Sequence, residues 1–456
     1  MASAVRTLVS GLPPGARLPS TRELSRAHGV GPVTVQRAVA ALVSEGRLET
    51  RPGVGNFVTA PRPAVRRDVS WQTAALGPPR PGVPEQAGSG LRGVPDDTIA
   101  LHSGYPLPAL QAGPLVAAAL SRAAKDPAAA RPAPTMGVPA LRHLFAQELA
   151  GDVGPDDVLV TSGGQAALVA AFRGVARPRD TVVMETPTFW GAIAAAAEAG
   201  LTVVPVAARP DGPDPAELAR VLGVHGARLV YAQPTWHNPT GATWSPAVRA
   251  AVLDVVRAHG AFLVEDDWAR DLALDGRAPA PLVRDDADGH VVHLRSLTKS
   301  MAPGIRVAAL VARGPALHRI RASRWAADLY VSPLLQLAAA DVLATPAWQR
   351  HLTRLRRELV ARRDALVDAV REHAPLAELT AVPRGGLSLW LRLPASLDPT
   401  AVAARCLQDG LAVSAGDEWF PAEPDGPYLR LGFAAAPLDQ FDRAARTLGR
   451  VLAAQA

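Results

Sequence analysis

From about residue 96 onward, short apolar runs rich in valine and leucine alternate with alanine-rich stretches of helical spacing. Runs at 158–161, 181–184, 202–206, 228–231, 262–264 and 291–294 read as strands. Strand and helix in alternation predict βαβ units, so the fold class is α/β with a mainly parallel sheet. A long amphipathic stretch over 347–372 leads into a smaller α+β subdomain, about 375–456, that closes with a helix. No repeat is visible.

The first sixty residues follow a different pattern. Ser20 and Glu23 have the spacing of a capping box, which predicts a helix start there. That helix stops at His28-Gly29, where glycine can take the left-handed turn. Pro32 suits the first position of a second helix, because its fixed φ fits and its missing N–H is not needed there. In that helix Val33, Val35, Val39 and Leu42 form the expected buried side, and Thr34, Gln36 and Arg37 the outer side. Glu45-Gly46 ends it. Arg47 to Thr50, the turn Arg51-Pro52-Gly53-Val54-Gly55 and Asn56 to Val58 then predict a small β-hairpin. Helix, turn, helix and hairpin make a winged helix-turn-helix over 1–60, whose second helix would lie in a DNA major groove.

Charge strengthens that reading. Residues 1–80 hold 11 arginines against four acids, a balance of +7, whereas the remaining 376 residues balance at −1. A polyanion, most simply double-stranded DNA, is the partner expected for the basic end. Residues 61–95, dense in proline, glycine and arginine, read as a linker. Treated as flexible, it spans roughly 30–35 Å, comparable to the ~34–36 Å between half-sites one helical turn apart. The rest of the chain, 96–456, reads as the larger domain. No apolar run reaches the ~18–20 residues of a membrane span, and no signal peptide is evident. Cys406 is the only cysteine, which excludes an intrachain disulfide and a cysteine-held metal. No membrane association, no metal and a cytoplasmic location are therefore expected.

Only two of the 48 basic residues are lysines, Lys125 and Lys299. Arginine stays protonated, so only lysine can offer a neutral amine for covalent chemistry. Lys125 sits at a helix end, where a cation complements the helix dipole. Lys299 lies in Ser296-Leu297-Thr298-Lys299-Ser300 just after an apolar strand, with Arg306 seven residues on. Glu265-Asp266-Asp267, His237-Asn238-Pro239-Thr240-Gly241 and Ser162-Gly163-Gly164-Gln165 each follow a strand. Those are the strand ends at which open α/β sheets bind ligands.

These segments, in this order and spacing, resemble the fold-type I pyridoxal 5'-phosphate (PLP) enzymes of aminotransferase class I/II, over roughly 96–452. The stretch from Gly15 to Leu24, then Glu45 to Leu48 and Gly53 to Val58, resembles the GntR family of bacterial regulators. Joined, they resemble the MocR-type regulators. The resemblance implies that Lys299 carries PLP as a Schiff base and is the catalytic group in an enzyme. It implies that Asp266 holds the ring nitrogen protonated and Asn238 donates to the phenolate. It also implies that Gly164, Gln165, Ser296 and Arg306 bind the phosphate, and that Phe189 stacks on the ring. Arg430, in Tyr428-Leu429-Arg430-Leu431-Gly432-Phe433, would grip the carboxylate of an amino compound. In the DNA-binding part, Arg22 and Thr34 would contact DNA, with Gln36 and Arg37 on the same helix and Gly53 near the minor groove. A homodimer is expected.

Two departures bear on activity. Where the family has tyrosine two residues after the aspartate, this chain has Trp268. Where relatives carry an interface tyrosine, Arg131 to Met136 contains none. The expected function is a DNA-binding transcriptional regulator that senses PLP or an amino compound. The alternatives are a working aminotransferase with a DNA-binding head, and a DNA-binding protein whose large domain only dimerises.

Overall fold

The computed structural model describes residues 1–60, 68–76, 88–95, 97–149 and 151–456. The chain forms two compact units, Met1–Pro78 and Pro79–Ala456. Much of the expected linker, 61–67 and 77–87, lies outside the described residues. Within it the short apolar stretch forms a helix, α4 (Trp71–Leu76).

The first unit contains α1 (Ala2–Ser10), α2 (Thr21–His28), α3 (Pro32–Ser44) and the antiparallel strands β1 (Leu48–Arg51) and β2 (Gly55–Val58). Helix α2 starts as the sequence predicts: Ser20 and Glu23 cap each other reciprocally, and Gly29 ends the helix in the left-handed region. Pro32 opens α3. Helix α1 was not expected. Its Val5 and Val9 join Leu24, Val35, Val39, Leu42 and Val58 in the core of this unit. One expectation fails. Val33, assigned to the buried side of α3, is 61% exposed. The buried positions of α3 are Val35, Ala38, Val39 and Leu42. Val33 lies two residues, about 200° around the helix, from Val35 and so falls on the opposite face.

The second unit begins with the short strand β3 (Ile99–Ala100). A seven-stranded sheet follows, made of β4 (Val158–Thr161), β5 (Thr181–Thr186), β6 (Thr202–Ala207), β7 (Leu229–Ala232), β8 (Phe262–Asp267), β9 (Val291–Ser296) and β10 (Ala308–Val311). Its order is β4-β10-β9-β8-β7-β5-β6. Pairing is parallel from β9 to β6, while β10 runs antiparallel to both β9 and β4. Strands β4, β7 and β10 are buried at every position, as continuously apolar strands covered on both faces should be. Residues 347–372 do form a long helix, Pro346–His373. Beyond it a second sheet contains β11 (Glu378–Leu379), β12 (Ser388–Arg392), β14 (Ser414–Ala415) and β15 (Tyr428–Gly432), in the order β11-β12-β15-β14. The pair β13 (Leu411–Ala412) and β3 stands beside it. The chain start at β3 is thereby tied to the C-terminal subdomain, which brings residues 101–105 over the strand ends. Among the described residues no helix is long and apolar enough to cross a membrane.

Candidate functional site

Parallel strands place their C-terminal ends along one edge of a sheet, and the polar segments of this chain lie at or just beyond such ends. Asp266 is the fifth residue of β8 and Ser296 the last of β9. Lys299 comes three residues after Ser296. Its Nζ donates to the Gly104 carbonyl at 3.0 Å and lies 3.6 Å from the centre of the Tyr105 ring. Burial, then repulsion from Arg430 and Arg306, bring the Lys299 amine down to about 7, against a weaker opposing pull from Asp266. The amine is thus poised between its charged and neutral forms at neutral pH.

Asp266 is fully enclosed, and burial pushes its carboxyl up to about 6 even though two donors favour the ionised form. Those donors are the Tyr231 hydroxyl at 2.9 Å and Gln233 Nε2 at 2.8 Å, both on Oδ2. Gln233 also accepts the backbone N–H of Asn238 at 2.9 Å. Asn238 Oδ1 in turn accepts from Arg430 Nε at 3.1 Å. Arg430, on β15 of the small sheet, is 3% exposed, and its guanidinium sits 5.5 Å from the centre of the Trp419 ring. Burial lowers it to about 10.

A second group gathers around the start of the helix Gly164–Val175. Gly163 precedes it at φ +87°, and a Cβ there would fall 2.6 Å from Arg306 Nη2. The missing side chain is what admits the guanidinium, which donates to the Ser162 carbonyl at 3.1 Å. Ser296 lies against Gly164. The helix's first N–H groups and this arginine make a place for an anion. Gln165 donates through its side chain to the Gly191 carbonyl at 2.6 Å, and Phe189 packs at the same glycine.

The structure therefore brings Lys299, Asp266, Asn238, Arg306 and Arg430 into one electrostatic neighbourhood, with Gly164, Gln165, Ser296 and Phe189 at its second group. Sequence reasoning missed Tyr231, Gln233, Gly104 and Tyr105. The first two stand at a predicted strand end, and their partner Asp266 was the available signal. For Gly104 and Tyr105 no local signal exists, since their proximity depends on β3 pairing with β13. Trp268 donates its indole N–H to the Trp236 carbonyl at 3.0 Å, so that hydrogen is already used and does not stand in for a tyrosine hydroxyl. Lys125 is exposed just past the end of a helix. Arg22, Thr34, Gln36, Arg37 and Gly53, the residues expected to face DNA, are all exposed, on α2, on α3 and at the hairpin turn, where Gly53 has φ +74°.

A mainly parallel sheet with a lysine, an aspartate and an arginine at its strand ends, met by a second arginine from a smaller sheet, is the architecture of a fold-type I aminotransferase domain. Residues 97–448 match the family model for aminotransferase class I and II, and residues 5–58 match that for bacterial regulatory proteins of the gntR family. The chain belongs to the aminotransferase class I and II family and carries a GntR-family helix-turn-helix ahead of that domain. The HTH-type transcriptional regulator TauR of Rhodobacter capsulatus is 30% identical over 92% of this chain and 89% of its own. The uncharacterized HTH-type transcriptional regulator YdfD of Bacillus subtilis is 25% identical over 96% of this chain and 92% of its own. Among solved structures, LysN, an α-aminoadipate aminotransferase from Thermus thermophilus complexed with N-(5'-phosphopyridoxyl)-L-leucine, superposes with a TM-score of 0.76. It is 29% identical and covers 81% of this chain and 95% of its own.

Proposed function

We propose that the protein is a DNA-binding transcriptional regulator whose aminotransferase-like domain holds PLP on Lys299 and reads an amino compound through it. One observation carries the reading: three buried or half-buried cations, Lys299, Arg306 and Arg430, converge, opposed by Asp266 at the lysine and by Glu418 at Arg430. Such a site calls for an anionic ligand. The chemistry of the donors fits PLP, because the hydroxyls of Thr188 and Thr298, the residues just before Phe189 and Lys299, are buried without partners. When bound, PLP supplies an aldehyde that a neutral amine can capture and a ring that withdraws electrons.

The chain's own groups divide the work. Lys299, near half-neutral at pH 7, offers the capturing amine. Arg306 and the helix N–H groups at Gly164 and Gln165 would bind the phosphate. Asp266 would stabilise a proton on the ring nitrogen, Asn238 would donate to the phenolate, and Phe189 would cover a ring face. Arg430 would take the carboxylate of the amino compound. The exposed face of α3 would enter the DNA, and a dimer would present two such heads. The names of the regulators similar to it over nearly their whole length support this reading. Slow amino-group transfer is the second reading, favoured by the presence of Lys299, Asp266, Asn238 and Arg430 together.

The test is footprinting upstream of the protein's own gene, with and without PLP and a panel of amines. A footprint that PLP or an amine alters is expected. Protein that stays colourless with PLP, or a footprint indifferent to every ligand, would overturn the sensing role.

A further inference from the structure

Resting on the DNA-binding reading above, one exposed residue says something about the sequence that is read. Val33, Gln36, Arg37 and Ala40 fall at i, i+3, i+4 and i+7 along α3, so they share one helix face. All four are exposed, while Val35, Ala38, Val39 and Leu42 hold the opposite face in the core. A lone exposed valine is ordinary on most surfaces. This one is 61% exposed on the outer face of the recognition helix, in the part of the chain that carries a +7 balance over residues 1–80. Gly31 and Pro32 ahead of it reach little beyond the backbone. Val33 is thus an exposed apolar side chain in the first turn of α3, and the N-terminal residues of such a helix are those that meet base edges.

Its two methyl groups can neither donate nor accept a hydrogen bond. In the major groove the one apolar feature a base pair presents is the 5-methyl group of thymine. Gln36, one turn along, has the amide that pairs bidentately with adenine, and Arg37 the guanidinium that pairs with guanine or a phosphate. We propose that Val33 packs on a thymine methyl group, so that each half-site of the operator carries an A·T pair under the N-terminal end of α3. Gly31 and Pro32 carry neither hydroxyl nor guanidinium, so readout at this end of α3 is apolar.

The experiment uses the full-length protein with PLP and duplexes selected by it from a random library. In the tightest duplex each thymine is replaced in turn by deoxyuridine, which removes only the methyl group. Affinity should fall about fourfold at one thymine per half-site, the effect of one buried methyl-sized group. Val33→Ala removes the contact from both heads of the dimer, so it should weaken the parent duplex about sixteenfold, fourfold per half-site, and erase the deoxyuridine effect. Because Val33 is exposed, the variant should melt with the parent, which a thermal scan checks. Deoxyuridine that is neutral at every position, or a loss that persists unchanged in Val33→Ala, would overturn the proposal while leaving DNA binding intact. Failure to select any duplex would overturn the DNA-binding reading together with it.

Discussion

Arg430 donates its Nε hydrogen to Asn238 Oδ1 at 3.1 Å, joining the small sheet to the loop that follows β7. The bond holds a buried guanidinium where it repels the Lys299 ammonium, second only to burial in bringing that amine down from its ordinary value to about 7. A lysine lowered in this way is more readily neutral, and only the neutral form captures an aldehyde. Replacing Arg430 by glutamine should keep a polar group beside Asn238 while removing the charge. The lysine should then rise, and at pH 7 its neutral fraction should fall by up to about tenfold. Capture of PLP, followed by absorbance and by borohydride trapping, should move to more alkaline pH. An unchanged pH profile would show that Arg430 does not set the amine, leaving burial and Arg306.

Gly163 offers a test of the anion site. A Cβ at this position would stand 2.6 Å from Arg306 Nη2, and the residue sits at φ +87°. Gly163→Ala should therefore displace the guanidinium and weaken PLP and inorganic phosphate binding by tenfold or more, about the loss of one charge-assisted bond. Backbone strain alone would cost about 1 kcal/mol without touching the ligand. Gly260→Ala separates the two effects, since Gly260 has φ +56° and nothing within 4 Å of its would-be Cβ. Calorimetric titration should find Gly260→Ala binding like the parent. Equal losses in both variants would remove Arg306 from the argument.

Much of this site was readable in the chain because each polar group follows its strand locally. Lys299, Asp266, Asn238 and Arg306 needed only a strand that ends at them or shortly before them. The α2 cap was equally local, with Ser20 and Glu23 three residues apart. What escaped was non-local. Tyr105 reaches Lys299 only because Ile99 and Ala100 pair with Leu411 and Ala412, more than 300 residues away. Helix α1 carries no cap side chain that bonds its first turn, so nothing short-range marked its start. Val33 misled because a valine in an apolar-spaced helix suggests core. One residue's difference in position around α3 sends it outward instead.

Glu185 should give the protein a pH-dependent weakness. It is fully buried, Trp244 Nε1 donates to its Oε1 at 3.0 Å, and its Oε2 lies 3.8 Å from His237 Nε2 without a hydrogen bond. Burial raises the carboxyl from its ordinary 4.5 to about 7. A carboxyl raised on folding contributes fully below pH 4.5, and its contribution fades as pH climbs through 7. By pH 8 the loss is of order 3 kcal/mol. Glutamine cannot ionise and mimics the protonated form. Glu185→Gln should thus stabilise the cofactor-free protein at pH 8 and change little at pH 4.5. Urea midpoints of both proteins at the two values measure the difference, since other titrating groups cancel. The same offset at both would mean that Glu185 ionises without cost.

In the first unit, cap and contact can be told apart by salt. Ser20 accepts from the Glu23 backbone N–H at 3.3 Å, and Glu23 returns a bond to the Ser20 N–H at 2.7 Å. Ser20→Ala should cost about 1 kcal/mol of stability in this unit and lower its melting temperature. It removes no cation, so the salt dependence of DNA binding should keep its slope. Arg22, exposed one residue into α2, bears charge and caps nothing. If it meets a phosphate, Arg22→Ala should leave the melt unchanged, weaken binding to all duplexes alike, and reduce the slope of log affinity against log salt by about 0.9 for each head on the DNA. Melting scans and affinities at a series of salt concentrations give both quantities for both variants. A slope unchanged by Arg22→Ala would take that arginine off the DNA backbone, and a slope changed by Ser20→Ala would mean that the cap positions a contact as well as a helix.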